Sequence, residues 1–251
     1  MISNAQSHTI ILTQQRASLS NSNNFRPTCP PQPQLQSPPS TTTITARQLL
    51  PIASVKDSWY EDLVRDEYAI VMGAIPRERA DQNASDMYPY LDGFNPGFDR
   101  NDPSTVQADK LPLINNKGMC MRYAVNHEDF AWKVRSEAGV IDAFTKAYQT
   151  EDHIVSFDAV NFGFSNRKDL PPNTSWPHQD QDRTKPGFRC LQGPTARGLG
   201  TPHYNLSSKS ARPCFCAYTC YMPLADVTTE DLQKKKAAFE REQSKIMYGI
   251  D

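Results

Sequence analysis

The stretch 153–164, His153-Ile154-Val155-Ser156-Phe157-Asp158-Ala159-Val160-Asn161-Phe162-Gly163-Phe164, alternates and is rich in β-branched and aromatic residues. Such side chains fit a pleated, half-buried surface, and the alternation predicts a β-strand. A second strand is expected from about Cys214 to Tyr221, and Tyr68 to Ile75 reads as a buried strand ended by Pro76. Working outward, the remaining periodicity is helical. Asp57 or Ser58 can cap a helix through about Glu67, with Trp59, Leu63 and Val64 on one face. Residues 77–92 carry Met87 and Leu91 four apart, and 94–114 is loop-like. Asn126 followed by Glu128 and Asp129 reads as a helix start, with Trp132 and Val134 after it, and 139–148 as a second helical piece. Thr228-Thr229-Glu230-Asp231 opens a final amphipathic helix with Leu232 and Phe239 on one side. Helices first and strands after predict an α+β fold with an antiparallel β core.

A chain of 251 residues accommodates one domain of ordinary size plus a tail. The first 56 residues contain no Asp or Glu, four basic residues and seven of the 20 prolines. They bury too little apolar surface to offset their ordering entropy, so 1–56 is expected to be a disordered tail and 57–251 the domain. An acid-free, Ser-rich start also resembles an organelle transit peptide, although the prolines spoil an amphipathic helix. With 27 basic and 28 acidic residues the net charge is −1, so no basic field invites nucleic acid. No apolar run approaches the ~20 residues that span a bilayer. Six cysteines in a chain of this size, without a signal-peptide pattern, read as reduced thiols of an intracellular, cytoplasmic protein. Oligomeric state is not legible in the sequence.

The chemistry concentrates further on. His178-Gln179-Asp180 is an H-x-D pair, and on a strand residues i and i+2 share a face, so one imidazole and one carboxylate can chelate one ion. A second such pair, His127-Glu128-Asp129, lies in an expected helix, where i and i+2 stand about 200° apart and cannot share a metal. Pro177 biases Trp176 towards the extended conformation that the 178–180 reading needs. His203 is the candidate third ligand, completing two imidazoles and a carboxylate around Fe(II) with three positions open. Arg212 opens the strand that carries Cys214 and Cys216, where a guanidinium fork can hold a dicarboxylate. Taken singly, His203 reads as a loop histidine and Arg212 as a solvated charge; the ordered set is what points to a site.

Several stretches resemble the phytanoyl-CoA dioxygenase-like family: Arg65–Arg79, Gly97–Thr105, Ile154–Val160, Trp176–Gly193, Thr201–Leu206 and Tyr218–Phe239. The resemblance implies a double-stranded β-helix (jelly-roll) with flanking helices, and a non-haem Fe(II)/2-oxoglutarate-dependent oxygenase that hydroxylates a small organic substrate. It further implies His178, Asp180 and His203 as iron ligands, Arg212 and Asn205 in the cosubstrate pocket, and ascorbate as a reductant. One feature departs from the pattern. Only 24 residues lie between His178 and His203, whereas several strands separate these ligands in the family. Four strands with turns need at least about 30–40 residues. The run Gln192 to Thr201, with three glycines and a proline, reads as no strand at all. An internal segment is therefore expected to be missing between Gly193 and Thr201, leaving the jelly-roll incomplete. Turnover would then be impaired, or the chain would be an inactive remnant that at most binds a metal or a partner.

Other features have plainer readings. Cys214, Cys216 and Cys220 read as small apolar strand residues rather than zinc ligands, and if Arg212 points into the barrel then Cys214, Cys216 and Tyr218 follow it. Lys234-Lys235-Lys236 reads as a solvated face, Asp182 as a strand-end charge, and Trp59, Trp132 and Phe144 as core.

Overall fold

The computed structural model describes residues 9–16, 57–94, 97–164, 167–171, 188–196 and 213–240, with 9–16 and 188–196 described by their backbone pairing. Helices and one mixed-length antiparallel sheet make up the described fold, as an α+β chain should. The strands are β1 (Thr9–Arg16), β2 (Tyr68–Met72), β3 (Met119–Cys120), β4 (His153–Val155), β5 (Val160–Gly163), β6 (Phe188–Ala196) and β7 (Cys214–Pro223). Their order is β2-β1-β6-β7-β5-β3, and β4 pairs with β7 beyond the end of β5. β7 is thus the axis of the sheet, flanked by β6 on one side and by β5 and β4 in succession on the other. The helices are α1 (Ser58–Asp66), α2 (Arg77–Asp92), α3 (Asp129–Arg135), α4 (Ala138–Tyr148) and α5 (Thr229–Glu240).

The strand expected over 153–164 is broken in two. Residues 156–159 leave the ladder, with the Ser156 hydroxyl donating to the Asp158 carboxylate. Four residues, 156–159, face only three, 218–220, between the rungs Val155–Tyr221 and Val160–Ala217, so one extra residue interrupts the pairing, while the Ser156 N–H still donates to the Cys220 carbonyl and the Ala159 carbonyl still accepts from the Tyr218 N–H. On either side the alternation holds. Val160 stands opposite Ala217 and Phe162 opposite Phe215, and all four are buried.

Helices cover one face of the sheet and create two apolar clusters. The first gathers Tyr60 and Leu63 of α1, Ala69 of β2, Val140, Phe144 and Tyr148 of α4, and Ala217 and Tyr221 of β7. The second gathers Met87 and Leu91 of α2, Phe130 of α3, Cys120, Val160, Phe162 and Phe215. Phe144 is fully buried as expected, but Trp59 and Trp132 lie only half-buried, and Tyr60 rather than Trp59 centres the inner face of α1. Tyr60 and Leu63 are three apart, so the buried stripe runs one residue away from the expected one.

Some expectations fail for local reasons. β2 ends at Met72, where Gly73 takes a φ of +71°, and only its alternate residues are buried. Tyr68, Ile70 and Met72 are exposed by 51, 41 and 59%. Asn126 does not cap a helix; it sits in a 3₁₀ turn, Val125–His127, and α3 starts at Asp129. Thr9–Arg16 belongs to the sheet although 1–56 was expected to be disordered. The exception has a sequence cause: Thr9-Ile10-Ile11-Leu12-Thr13 is the β-branched part of an otherwise polar tail, and β2 and β6 hydrogen-bond it on both sides. The rest of that tail outside 9–16 lies beyond the described residues. β6 likewise runs through Gln192 to Ala196, which composition excluded from a strand. The β1 ladder has no rung at Gly193 or Pro194, so the donor that proline lacks falls where pairing already lapses.

Tyr221 ties sheet to helices. Its hydroxyl donates to the Arg135 carbonyl at 2.8 Å from within the core. Tyr221→Phe is expected to cost about 1 kcal/mol of stability, the usual net worth of one such bond, read as a lowered urea midpoint at unchanged slope.

Candidate functional site

The residues expected to carry the chemistry, His178, Asp180, His203, Asn205 and Arg212, and the second candidate strand-end charge Asp182, lie outside the described residues. What the fold does establish is their place along the chain. His178 and Asp180 precede β6, while His203, Asn205 and Arg212 fall between β6 and β7, with Arg212 two positions before Cys214. β6 and β7 are paired antiparallel neighbours over Leu191 to Ala196. Among the described residues no group of three or more His, Cys, Asp or Glu side chains could hold a metal.

The side of the sheet away from the helices is polar at its centre. Asn161, opposite Cys216 in the register, donates from Nδ2 to the Lys117 carbonyl at 2.9 Å and to the Tyr218 hydroxyl at 3.4 Å. Tyr218 is half-buried, Cys216 and Cys220 are buried and Cys214 is exposed. The three residues expected to point inward together therefore differ along the strand, Cys214 exposed, Cys216 buried and Tyr218 half-buried. The strand mouth at Cys214 is open, and Cys216 lies deeper. Burial pushes the Cys216 thiol well above its ordinary range, so it stays protonated and acts as a small apolar group. Toward β2 the same side becomes apolar through Tyr68, Ile70 and Met72. Asn161 was not singled out from the sequence; its signal was a polar residue inside an otherwise apolar alternation.

A second cluster surrounds His127. Its ring lies 4.6 Å from Phe157, 5.5 Å from Phe239 and 6.2 Å from Trp132, centroid to centroid. Lys235 places its ammonium 3.3 Å from the Phe157 ring centroid. The triple-lysine run is therefore not uniformly solvated. Lys234 and Lys236 are exposed and pair with Glu230 and Glu240, whereas Lys235 turns inward. Burial holds Lys235 down to about 8, and burial with Arg135 and Lys235 nearby holds His127 below its ordinary value. The Phe157 face opposes the shift at Lys235 by attracting the charged form. The turn before α5 is built as expected: the Thr228 hydroxyl accepts from the Asp231 N–H at 3.1 Å and donates to the Asp231 carboxylate at 2.6 Å. Leu232 and Phe239 are both exposed, so α5 buries no full apolar stripe.

Arg135 is the largest fully buried side chain. Its guanidinium donates to the Asn126 carbonyl at 2.6 Å and the Asp158 carbonyl at 2.8 Å, and lies 5.5 Å from the Trp132 ring centroid. It joins the turn before α3 to the break between β4 and β5. Composition offered no sign of it, because a buried arginine looks like any other until its partners are placed.

No helix among the described residues is long and apolar enough to cross a membrane. No family model matches the chain, and no solved structure matches it. The chain is 36% identical over 135 residues to a protein named Ava biosynthesis cluster protein O from Aspergillus versicolor. That match takes in 54% of this chain and 43% of the relative, so the chain spans less than half the length of the relative it matches.

Proposed function

We propose that this chain derives from a phytanoyl-CoA dioxygenase-like, Fe(II)/2-oxoglutarate-dependent oxygenase acting on a small organic molecule. The observation that carries the reading is the ordered set His178-x-Asp180, His203, Arg212, disposed on either side of β6 and leading into β7. The donor set itself suits the metal, since two imidazoles and one carboxylate form the facial arrangement that non-haem Fe(II) oxygenases use. His178, Asp180 and His203 would hold the iron. Arg212 would clasp a carboxylate of 2-oxoglutarate with its guanidinium fork, and Asn205 would hydrogen-bond the same cosubstrate. Bound Fe(II) would supply the oxidation of a substrate C–H bond by O₂, with 2-oxoglutarate as co-reductant leaving as succinate and CO₂ and ascorbate keeping the metal reduced. In this reading the described sheet is one layer of a jelly-roll whose opposite layer is incomplete between Gly193 and Thr201. The relative named for a biosynthesis cluster is in keeping with work on a small molecule.

The exposed apolar trio Tyr68, Ile70 and Met72 favours impaired turnover over full activity. Exposed apolar sheet surface of this kind marks a missing cover. The extreme of impairment is the second reading, a catalytically inactive remnant that binds at most a metal or a partner.

Anaerobic dialysis of the purified chain against Fe(II), followed by 2-oxoglutarate titration, separates these readings. One Fe(II) per chain is expected, falling at least tenfold in affinity in His178→Ala and His203→Ala, with slow succinate formation once O₂ is admitted. Absence of iron binding would sink the oxygenase assignment. Iron without 2-oxoglutarate binding, unchanged in Arg212→Met, would leave a metal-binding protein of another kind. Rapid turnover would overturn the missing segment.

A further inference from the structure

β2 is the last strand of the sheet: β1 is its strand neighbour, and no described strand pairs with its other edge. An edge strand is a template for further pairing, and natural proteins blunt it with short length, lysine, proline or a covering element. At the opposite end of the sheet β3 is blunted in this way, being two residues long. β2 is not. Tyr68-Ala69-Ile70-Val71-Met72 holds three residues of high strand propensity, Tyr68, Ile70 and Val71, without a charge or a proline.

Beside that edge runs a cleft of about 410 Å³. One wall is 70–74, the other comes from α4 through Gly139, Asp142 and Lys146, and Trp59 at the start of α1 closes one end. Alternate residues of a strand point to opposite faces, so a cleft lying on one face would not meet three consecutive ones, Ile70, Val71 and Met72; this cleft follows the edge of β2 and the turn after it. Its floor is narrow because Gly139 carries no side chain where α4 meets Ala74. The rim is charged. The Lys146 ammonium sits 2.9 Å from a carboxylate oxygen of Asp57 and 2.9 Å from one of Asp142. Two carboxylates against one ammonium leave the rim negative, and α1 adds Glu61, Asp62 and Asp66 against Arg65.

We propose that this cleft binds an extended polypeptide segment carrying a basic residue, which adds to β2 as a further strand. Main-chain hydrogen bonds to β2 supply affinity, alternate small apolar side chains of the segment meet Ile70 and Met72, and a lysine or arginine meets Asp142 at the rim. A second copy of this chain is disfavoured as occupant, because pairing β2 with β2 brings two acidic α1 helices together. None of the residues of the cleft is a candidate ligand or cosubstrate contact, and iron binding tests the one reading while peptide binding tests the other, although Ile70 and Met72 also belong to the exposed trio on which the impaired-turnover reading draws.

The test uses the full chain and a labelled octapeptide of alternating valine and threonine flanked by lysines. Its controls are the same peptide N-methylated at alternate amides, and one flanked by glutamates. The lysine peptide should bind saturably by fluorescence anisotropy and slow amide exchange at 68–74. N-methylation in the pairing phase should weaken it at least tenfold, and so should Asp142→Lys. Equal binding of the N-methylated or the glutamate peptide would overturn the proposal, as would no binding at all. Equilibrium sedimentation showing a dimer that the peptide does not dissociate would also overturn it, assigning the edge to a second copy.

Discussion

Replacing Arg135 with Met should destabilise the fold by about 3 kcal/mol, and Arg135→Lys should recover little of the loss. The buried guanidinium caps the carbonyls of Asn126 and Asp158 at 2.6 and 2.8 Å. Met matches the length of the stem but takes the guanidinium donors from the buried Asn126 carbonyl and the half-buried Asp158 carbonyl, and stranding a buried polar group costs about 1–3 kcal/mol. The relief of no longer burying a charge offsets part of this, which keeps the expected figure near the middle of the range. Lys cannot span two acceptors with one ammonium as a planar fork does. Against a total stability on the order of 5–15 kcal/mol such a loss is large. Urea unfolding monitored by tryptophan fluorescence measures it, because Trp132 lies against Arg135. A loss under about 1 kcal/mol would show that the two carbonyls find other partners.

The second large effect is expected at Gly139. A methyl group built there would lie 2.2 Å from the Ala74 carbonyl oxygen and 3.0 Å from its carbon. Both are backbone atoms, so α4 or the turn after β2 must shift. Helix propensity favours Ala over Gly by about 1 kcal/mol, and the clash outweighs that gain because overpacking of a fixed backbone typically costs about 1–3 kcal/mol and occasionally more. Gly139→Ala should therefore lower stability by about 2 kcal/mol net. Gly93 supplies the control: an added methyl there meets only backbone oxygens at 3.5 and 3.6 Å, which is ordinary contact, so Gly93→Ala should be close to neutral. Thermal melts of the two variants side by side decide the point, and equal melting temperatures would refute the close approach of α4 to Ala74.

Much of the fold was legible because its signals are local. α1, α2, α4 and α5 begin and end within a few residues of where periodicity and capping put them, and the Thr228–Asp231 exchange is a sequence pattern realised as bonds. β7, expected from about Cys214 to Tyr221, spans Cys214–Pro223. The errors fall where a neighbour decides the outcome. One extra residue in 156–159 against β7 divides the expected strand, β1 gains order from two flanking strands rather than from its own tail, and Gly193 and Pro194 are tolerated where the β1 ladder lapses. The candidate metal residues stand on sequence alone, as chemistry arranged in chain order.

By itself, then, the sequence determined the places of α1, α2, α4, α5 and β7 and the α+β class, and it supplies the candidate residues of the proposed iron and 2-oxoglutarate site. Those properties depend on periodicity, capping and donor chemistry, which act over a few residues. Only the tertiary structure decided that Arg135 is a buried clasp, that Lys235 lies against Phe157 rather than in solvent, and that β2 ends the sheet beside a cleft. Each of these is a relation between segments distant in the chain, and an uncharged strand or a lone arginine carries no mark of the neighbour it will meet.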